Sequence, residues 1–316
     1  RSGNIKKIKI FSGEAQDIGA RGEQQDAFGV GAINDDGFLP EDGVLAVVAD
    51  GMGGLAEGDR ASKTAVENFF RSYSRKSSEE GVMEALERSL VETNEAVHKL
   101  GLEIGEEQNF GTTLVAAVIH ESGLYWIYSG DSRIYITDGQ ALTQLTEDQV
   151  YGRKLDSAAA KGLIDYESAR LHPDREALTS YIGDREINEI GKGHQSGPLP
   201  GRLSLLLCTD GLFKFIPEKK ILDCFTDDPE EWTKRLIDAV IKENNPAQDN
   251  ITAVCLAIRE DVPKTVKTVK TRTRRKRRQL IVYAVSLLLA FLAAGLFFLS
   301  GRFMDWTYFW NKPDSH

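Results

Sequence analysis

Short apolar runs separated by polar turns dominate the first 260 residues, with amphipathic stretches between some of them. Runs rich in Val, Ile and Leu predict strands, and apolar residues spaced every three or four positions predict helices. The polar, weakly helical segment 146–186 predicts a functional flap. The predicted strands cover residues 5–11, 27–33, 45–49, 113–120, 124–129, 134–137, 202–208 and 250–259, and the predicted helices cover 57–73, 80–101, 217–225 and 229–243. We expect one domain over residues 4–260.

The pattern changes at residues 280–300, a run of 21 residues without a charged side chain. At about 1.5 Å per residue, this run spans about 30 Å, the hydrocarbon thickness of a bilayer. A buried core helix is the alternative, but the run has neither an amphipathic stripe nor partner segments. It therefore predicts a transmembrane helix over residues 279–300.

The flanks of this run predict its orientation. Residues 264–278 hold nine Lys and Arg and no acidic residue, whereas Trp306, Tyr308 and Trp310 follow on the other side. Positive charges stay on the cytoplasmic side, and aromatic side chains favour the membrane interface. We therefore expect a single-pass protein of the cell membrane with a cytoplasmic domain, a basic juxtamembrane linker (261–278) and a short extracytoplasmic tail (301–316).

The net charge of −9 hides an uneven distribution. Residues 1–260 contain 28 Lys and Arg against 45 Asp and Glu, a net charge of −17. An acidic domain repels the phosphate backbone of nucleic acid. The basic stretch is therefore better explained by the neighbouring membrane, and we expect no nucleic-acid partner.

Aspartates recur beside the predicted strand ends. Each alone is unremarkable, because Asp favours turns, but the shared position is a signal. Converging carboxylates suit Mg²⁺ or Mn²⁺, and the histidines have no spacing typical of zinc ligands. A paired-metal carboxylate site makes a nucleophilic hydroxide from water and clamps a phosphate. The aspartates are Asp26, Asp50, Asp131, Asp210 and Asp249.

Two short stretches refine this expectation. Asp50 and Gly51 follow an apolar run, where the carboxylate and the Gly51 carbonyl can present oxygens to one cation. Residues 51–56 also match a dinucleotide-binding fingerprint, but about fifty residues of helical pattern follow instead of the second strand that it needs. Arg21 and Asp26 can serve one site, with an anion on the guanidinium and a cation facing the carboxylate. A surface ion pair is the alternative there.

At this point the chain resembles the metal-dependent protein serine/threonine phosphatases, the PPM or type 2C family. The DGMGG form of the second motif is similar to that of bacterial members. The resemblance implies an α+β fold, an αββα sandwich of two mainly antiparallel sheets flanked by helices, with metals in a cleft at one end. The matching motifs are Arg21 with Asp26, and residues 48–54, 111–113, 130–133, 145–148, 209–211 and 249–252.

The resemblance also implies roles for single residues. Asp50 bridges two Mn²⁺ or Mg²⁺ ions, and Asp26 acts through bound water. Arg21 holds the substrate phosphate. The metal-bridging hydroxide attacks phosphorus directly, without a phospho-enzyme. The remaining ligands are Asp210 and Asp249 for one metal and the Gly51 carbonyl for the other, while Asp131 with Asp210 resembles the ligands of a third metal in bacterial members.

Three positions depart from the family pattern. Gln25 stands where many relatives carry Glu, which leaves more water on the second metal. Met52 stands where animal members have the His that is proposed as general acid, so metal-bound water would protonate the leaving oxygen. Lys214 stands four residues after Asp210, where some members carry another carboxylate for the third metal.

We therefore expect a membrane-anchored phosphatase that removes phosphate from serine and threonine of cytoplasmic proteins, such as a serine/threonine kinase or its substrates. A weakly active or inactive domain of this family, used as a membrane-tethered binding or sensing module, is the alternative. A two-metal nuclease is a third reading, which the acidity of the domain disfavours.

Overall fold

Two antiparallel sheets form the centre of the fold. The computed structural model describes residues 8–260 except residues 32, 35–36, 54–56, 107–109 and 198. The first sheet contains, in spatial order, β1 (Ile8–Asp17), β11 (Ile251–Glu260), β10 (Arg202–Cys208), β7 (Arg133–Thr137) and β8 (Leu142–Gln144). The second contains β2 (Asp26–Val30), β3 (Val44–Gly53), β5 (Leu114–His120), β6 (Gly123–Ser129) and β9 (Gly191–Ser196), and β4 (Phe110–Thr112) pairs with β3.

Helices cover both outer faces of the sheets. The long helices α1 (Gly58–Tyr73) and α2 (Val82–Ile104) pack on the second sheet. The first sheet is covered by α5 (Asp210–Phe213), α6 (Glu218–Asp223) and α7 (Pro229–Ile241). Two further helices, α3 (Tyr151–Ala160) and α4 (Tyr166–Arg170), lie in the segment between β8 and β9.

Alternation along β3 explains why both of its faces are buried. Val44, Ala46 and Val48 pack between the two sheets. Leu45 and Val47 pack against α1 and α2 on the opposite face. Successive side chains of a strand point to opposite faces, so a strand covered on both sides reads as a continuous apolar run. The four layers confirm the predicted αββα architecture.

Several strands differ from the sequence prediction. β3 was predicted to end at residue 49, but it continues to Gly53 and pairs with β4 beyond Asp50. β1 runs to Asp17, six residues past its predicted end. β4, β8 and β9 were not predicted, because two have only three residues and β9 is polar and glycine-rich. Asp50 therefore lies within a strand and not at its mouth.

The predicted linker (261–278), transmembrane helix (279–300) and tail (301–316) lie outside the described residues. In the described range, no helix has the length and apolar character needed to cross a membrane.

Candidate metal centre

Asp26 and Asp50 lie directly opposite each other in the ladder between β2 and β3. Opposite residues of antiparallel strands share one face, with their Cβ atoms about 4.5–5.5 Å apart, and like charges there destabilise the sheet. Asp26 is 4% exposed, so little water screens the pair. This arrangement requires either a proton or a cation between the two carboxylates.

Burial and the repulsion of neighbouring carboxylates raise the pKa values of Asp26, Asp50 and Asp131. Burial raises the pKa of Asp26 to about 7, and the charges of Asp210 and Asp249 add to the effect. Burial also raises the pKa of Asp50 well above its ordinary value, and all four other aspartates contribute. The pKa of Asp131 rises to about 6, again mainly through burial. The five predicted carboxylates therefore act on one another in a single cluster.

Two threonine hydroxyls hold the Asp26 carboxylate. Thr209 Oγ1 donates to Asp26 Oδ2 over 2.9 Å, and Thr252 Oγ1 donates to the same oxygen over 2.7 Å. Thr252 in turn accepts a hydrogen bond from Gln16 Nε2. Thr209 follows β10 and Thr252 lies in β11, whereas Asp26 begins β2. These hydrogen bonds therefore join the two sheets at the cluster.

The backbone of Asp50 is fixed by the residues around β4. Its N–H donates to Thr113 Oγ1 over 3.0 Å, and its carbonyl accepts from the Thr113 N–H over 2.9 Å. Thr112 Oγ1 donates to the same carbonyl over 2.8 Å. The motif at 111–113 thus orients the strand that carries Asp50.

Gly51 occupies a position with no room for a side chain. A Cβ atom there would lie 2.0 Å from the Gly58 carbonyl oxygen and 2.5 Å from the Gln25 carbonyl oxygen. The Gly51 N–H donates to that Gln25 oxygen over 3.1 Å. The start of α1 and the loop before β2 therefore close around the residue that follows Asp50.

Asp210 is the first residue of α5, and only one of its two carboxylate oxygens contacts the Lys214 ammonium. Lys214 Nζ lies 2.8 Å from Asp210 Oδ2 and 3.4 Å from Asp131 Oδ2. Asp210 Oδ1 is buried, and no described protein group donates to it. A buried carboxylate oxygen without a partner is costly, so this atom is suited to a cation in the cleft.

Arg21 and Asp249 meet at the rim of the cluster. Arg21 Nη2 donates to Asp249 Oδ2 over 2.7 Å, and the Arg21 side chain is 58% exposed. The next residue, Asn250, accepts from the Gln25 N–H over 2.7 Å and donates to two carbonyl groups of the same loop. This asparagine thereby holds the Arg21 loop against the start of β11.

Arg133 anchors the flap beside the cluster. Its guanidinium makes a bidentate ion pair with Asp148, with N–O distances of 2.9 and 2.6 Å. It also lies 3.7 Å from the ring centroid of Phe213 in α5. The motifs at 130–133 and 145–148 therefore have a common structural role, which is to fix the flap to the turn that carries Asp131.

Known proteins with similar sequences identify the family of this chain. The family model for protein phosphatase 2C matches residues 23–248. The chain belongs to the protein phosphatase 2C family. It is 30% identical over 217 residues to the serine/threonine phosphatase stp of Listeria monocytogenes, covering 66% of this chain and 82% of that protein. These findings confirm the predicted family and the protein phosphatase class.

Solved structures show the same fold. The Mycobacterium tuberculosis serine/threonine phosphatase PstP/Ppp superposes with a TM-score of 0.64 at 27% identity, covering 80% of this chain and 99% of that one. The catalytic domain of PstP in complex with two manganese ions, 23% identical, superposes with a TM-score of 0.62 over 80% of this chain and all of that one. These similarities confirm the predicted αββα fold, in addition to the strand order of the two sheets described above.

The donor set of this phosphatase 2C domain fits hard divalent cations. It offers carboxylate oxygens, including the orphaned Asp210 Oδ1, beside Asp26, Asp50 and Asp131, whose pKa values are raised. Among the described residues, no three acidic, histidine or cysteine side chains lie close enough together to hold a metal ion by themselves.

The sequence analysis missed three polar residues of this phosphatase 2C site. The structure brings the five predicted aspartates into one cluster, with Arg21 at its rim. Their individual roles stay predictions. The hydroxyls of Thr209 and Thr252 and the amide of Asn250 were not predicted as site groups, although all three lie within the quoted motifs.

Proposed function

We propose that this chain is a metal-dependent protein serine/threonine phosphatase that uses Mn²⁺ or Mg²⁺. The observation that carries the proposal is the opposed pair of carboxylates, Asp26 and Asp50, in a member of the protein phosphatase 2C family. Relatives named serine/threonine phosphatases support the substrate class. The PstP catalytic domain with two manganese ions supports the choice of metal.

Asp50, Asp210, Asp249 and the Gly51 carbonyl are the groups that would hold the ions. When bound, such ions lower the pKa of water and neutralise charge on a phosphoryl group. Asp26 has both threonine hydroxyls on Oδ2, so Oδ1 is the oxygen that would accept a hydrogen bond from a water molecule bound to these ions.

Arg21 is the group that would bind the substrate phosphate. Only Nη2 of its guanidinium contacts Asp249, and the side chain is well exposed. The remaining N–H groups can make a bidentate contact with two phosphate oxygens. The asparagine-held loop keeps this guanidinium next to the carboxylate cluster.

The test is turnover of a phosphothreonine peptide by the full chain, with Mn²⁺ and with EDTA. We expect metal-dependent phosphate release that falls about 100-fold or more in Asp50→Asn, since loss of even an outer partner of a metal costs about 10–100-fold. Asp223→Asn, at an exposed position at the end of α6, is the matched control. A folded wild type that binds Mn²⁺ without turnover would instead favour the membrane-tethered binding module.

We further propose that the phosphatase is anchored in the cell membrane through residues 279–300, with its catalytic domain in the cytoplasm. The support is the uncharged run and its basic flank in the sequence. A tether of this kind restricts the enzyme to membrane-near substrates, such as a membrane serine/threonine kinase or its targets.

Fractionation of cells tests the anchor. We expect the full chain to stay in the membrane pellet after alkaline carbonate extraction, and a chain truncated after residue 260 to move to the supernatant. A protease added outside should leave the catalytic domain intact. Release of the full chain by carbonate would contradict the anchor.

A further inference from the structure

Lys214 forms ion pairs with carboxylates from three separate parts of the domain. Its Nζ lies 2.8 Å from Asp210 Oδ2, 3.4 Å from Asp131 Oδ2 and 3.5 Å from Glu176 Oε2. Asp210 begins α5, Asp131 lies in the turn between β6 and β7, and Glu176 lies in the flap between α4 and β9. One ammonium group thus joins two carboxylates of the cleft to the flap.

The positive charge of Lys214 pairs with two carboxylates that have little contact with water, Asp131 and Asp210. The Asp131 side chain is 8% exposed, and Lys214 is the one hydrogen-bond donor that the described residues provide to it. The Asp210 side chain is 18% exposed. The Asp131 and Asp210 carboxylates, of which Asp131 is buried and Asp210 half-buried, would repel each other without a cation. The Lys214 ammonium removes this repulsion without any ion from solution.

The same contact sets the orientation of Asp210. Lys214 is bound to Oδ2, whereas Oδ1 is buried and has no protein partner. A carboxylate has two acceptor oxygens, so the oxygen that does not contact the protein cation can accept another partner. Oδ1 is therefore the Asp210 oxygen that would hold an ion together with Asp50 and Asp249.

We propose that Lys214 is a positioning residue whose ammonium is a permanent counter-cation for Asp131 and Asp210. This pair then holds no divalent ion of its own, and Asp210 offers a single oxygen to the ions of the cleft. The inference rests on the proposed function, because it assumes that the other carboxylates bind Mn²⁺ or Mg²⁺. Lys214 thus takes the position that the sequence analysis gave to a third metal.

Counting bound Mn²⁺ tests the proposal. In equilibrium dialysis of the full chain, we expect Lys214→Met to bind about one more Mn²⁺ per chain than wild type, since a divalent ion then replaces the lost ammonium. Lys214→Arg keeps the charge and should keep the wild-type count. The double variant Lys214→Met with Asp131→Asn should lose the additional ion.

Two results would overturn the proposal. One is an unchanged Mn²⁺ count in a folded Lys214→Met variant. The other is a loss of about one Mn²⁺ when Asp131→Asn is introduced into wild type, a variant that remains informative even where Lys214→Met does not fold. Failure of the proposed function has a different signature, because wild type would then bind no Mn²⁺ or release no phosphate.

Discussion

Asp26 gives the metal-free protein a specific dependence on pH. Its pKa is about 7 in the fold against an ordinary value of 3.8, so between about pH 4 and pH 7 the folded state binds more protons than the unfolded state. The free energy of unfolding must therefore fall as pH rises through this window. About three pKa units correspond to roughly 3–4 kcal/mol.

Urea unfolding of the EDTA-treated chain at pH 5 and pH 7 measures this effect. We expect wild type to lose clearly more stability between the two values than Asp26→Asn, which cannot titrate at this position. Mn²⁺ should reduce the loss, since a bound cation favours the ionised carboxylate. Equal losses in both proteins would show that Asp26 is not the group responsible.

A second prediction concerns the Thr252 hydroxyl, which we expect to contribute to both turnover and stability. Thr252→Val removes a donor to Asp26 Oδ2 and an acceptor for Gln16. We expect turnover with saturating Mn²⁺ to fall about 10-fold, as for other outer-sphere partners of metal sites, and stability to fall by about 1 kcal/mol. Thr252→Ser retains the hydroxyl, so it should keep most of the activity. If the serine variant is as impaired as the valine variant, packing and not the hydrogen bond is what matters.

Residue type decided which parts of the site could be predicted. Aspartates recurring beside strand ends indicate a cation site, because hard cations require carboxylate oxygens. Threonine and asparagine occur in strands and turns for many reasons, so a buried hydroxyl such as that of Thr209 gives no comparable signal. It lies 183 positions from Asp26 along the chain, and only the folded sheets bring the two together.

Among the elements, β3 departs most clearly from its prediction. A continuous apolar run marks residues 45–49, but the strand continues through Asp50 and two glycines, where the run of apolar side chains ends. The continuation is set by pairing with β4, a strand of three residues that is too short to predict. Such strands arise from tertiary pairing, which no local pattern encodes.

The close contact between β3 and α1 makes Gly51 a sensitive position. The Cβ of Gly51→Ala would overlap backbone oxygens of Gly58 and Gln25, neither of which belongs to a flexible side chain. We expect a loss of about 2 kcal/mol or more, and loss of activity because Asp50 precedes this residue. Gly22→Ala is the matched control, since nothing lies within 4 Å of its Cβ. It should change stability by no more than about 0.5 kcal/mol.

Urea unfolding of both variants with EDTA measures these losses, and peptide turnover with Mn²⁺ measures activity. A Gly51→Ala variant with wild-type stability would mean that α1 shifts easily from β3.

For the molecule as a whole, the carboxylate cluster is where the two sheets meet. Asp26 and Asp50 belong to the second sheet, whereas Asp210 and Asp249 adjoin β10 and β11 of the first. The layers of the sandwich could be expected from the family resemblance. The contacts between the sheets could not, because they depend on the register of strands far apart in sequence.

A cation shared by both sheets should stabilise the whole domain. Mn²⁺ at about 100 times its dissociation constant adds about 2.7 kcal/mol per site to the free energy of unfolding. For a domain of this size, that shifts the thermal midpoint by roughly 5–10 °C. Calorimetry of the full chain should show this rise with Mn²⁺ and its reversal by EDTA. Asp249→Asn should weaken the shift, because it removes one of the two proposed ligands that adjoin the first sheet, whereas Asp223→Asn should not. An equal shift in Asp50→Asn and wild type would place the ions outside the cluster, and the aspartates would then join the two sheets through protein hydrogen bonds, such as those from Thr209 and Thr252 to Asp26, without a shared cation.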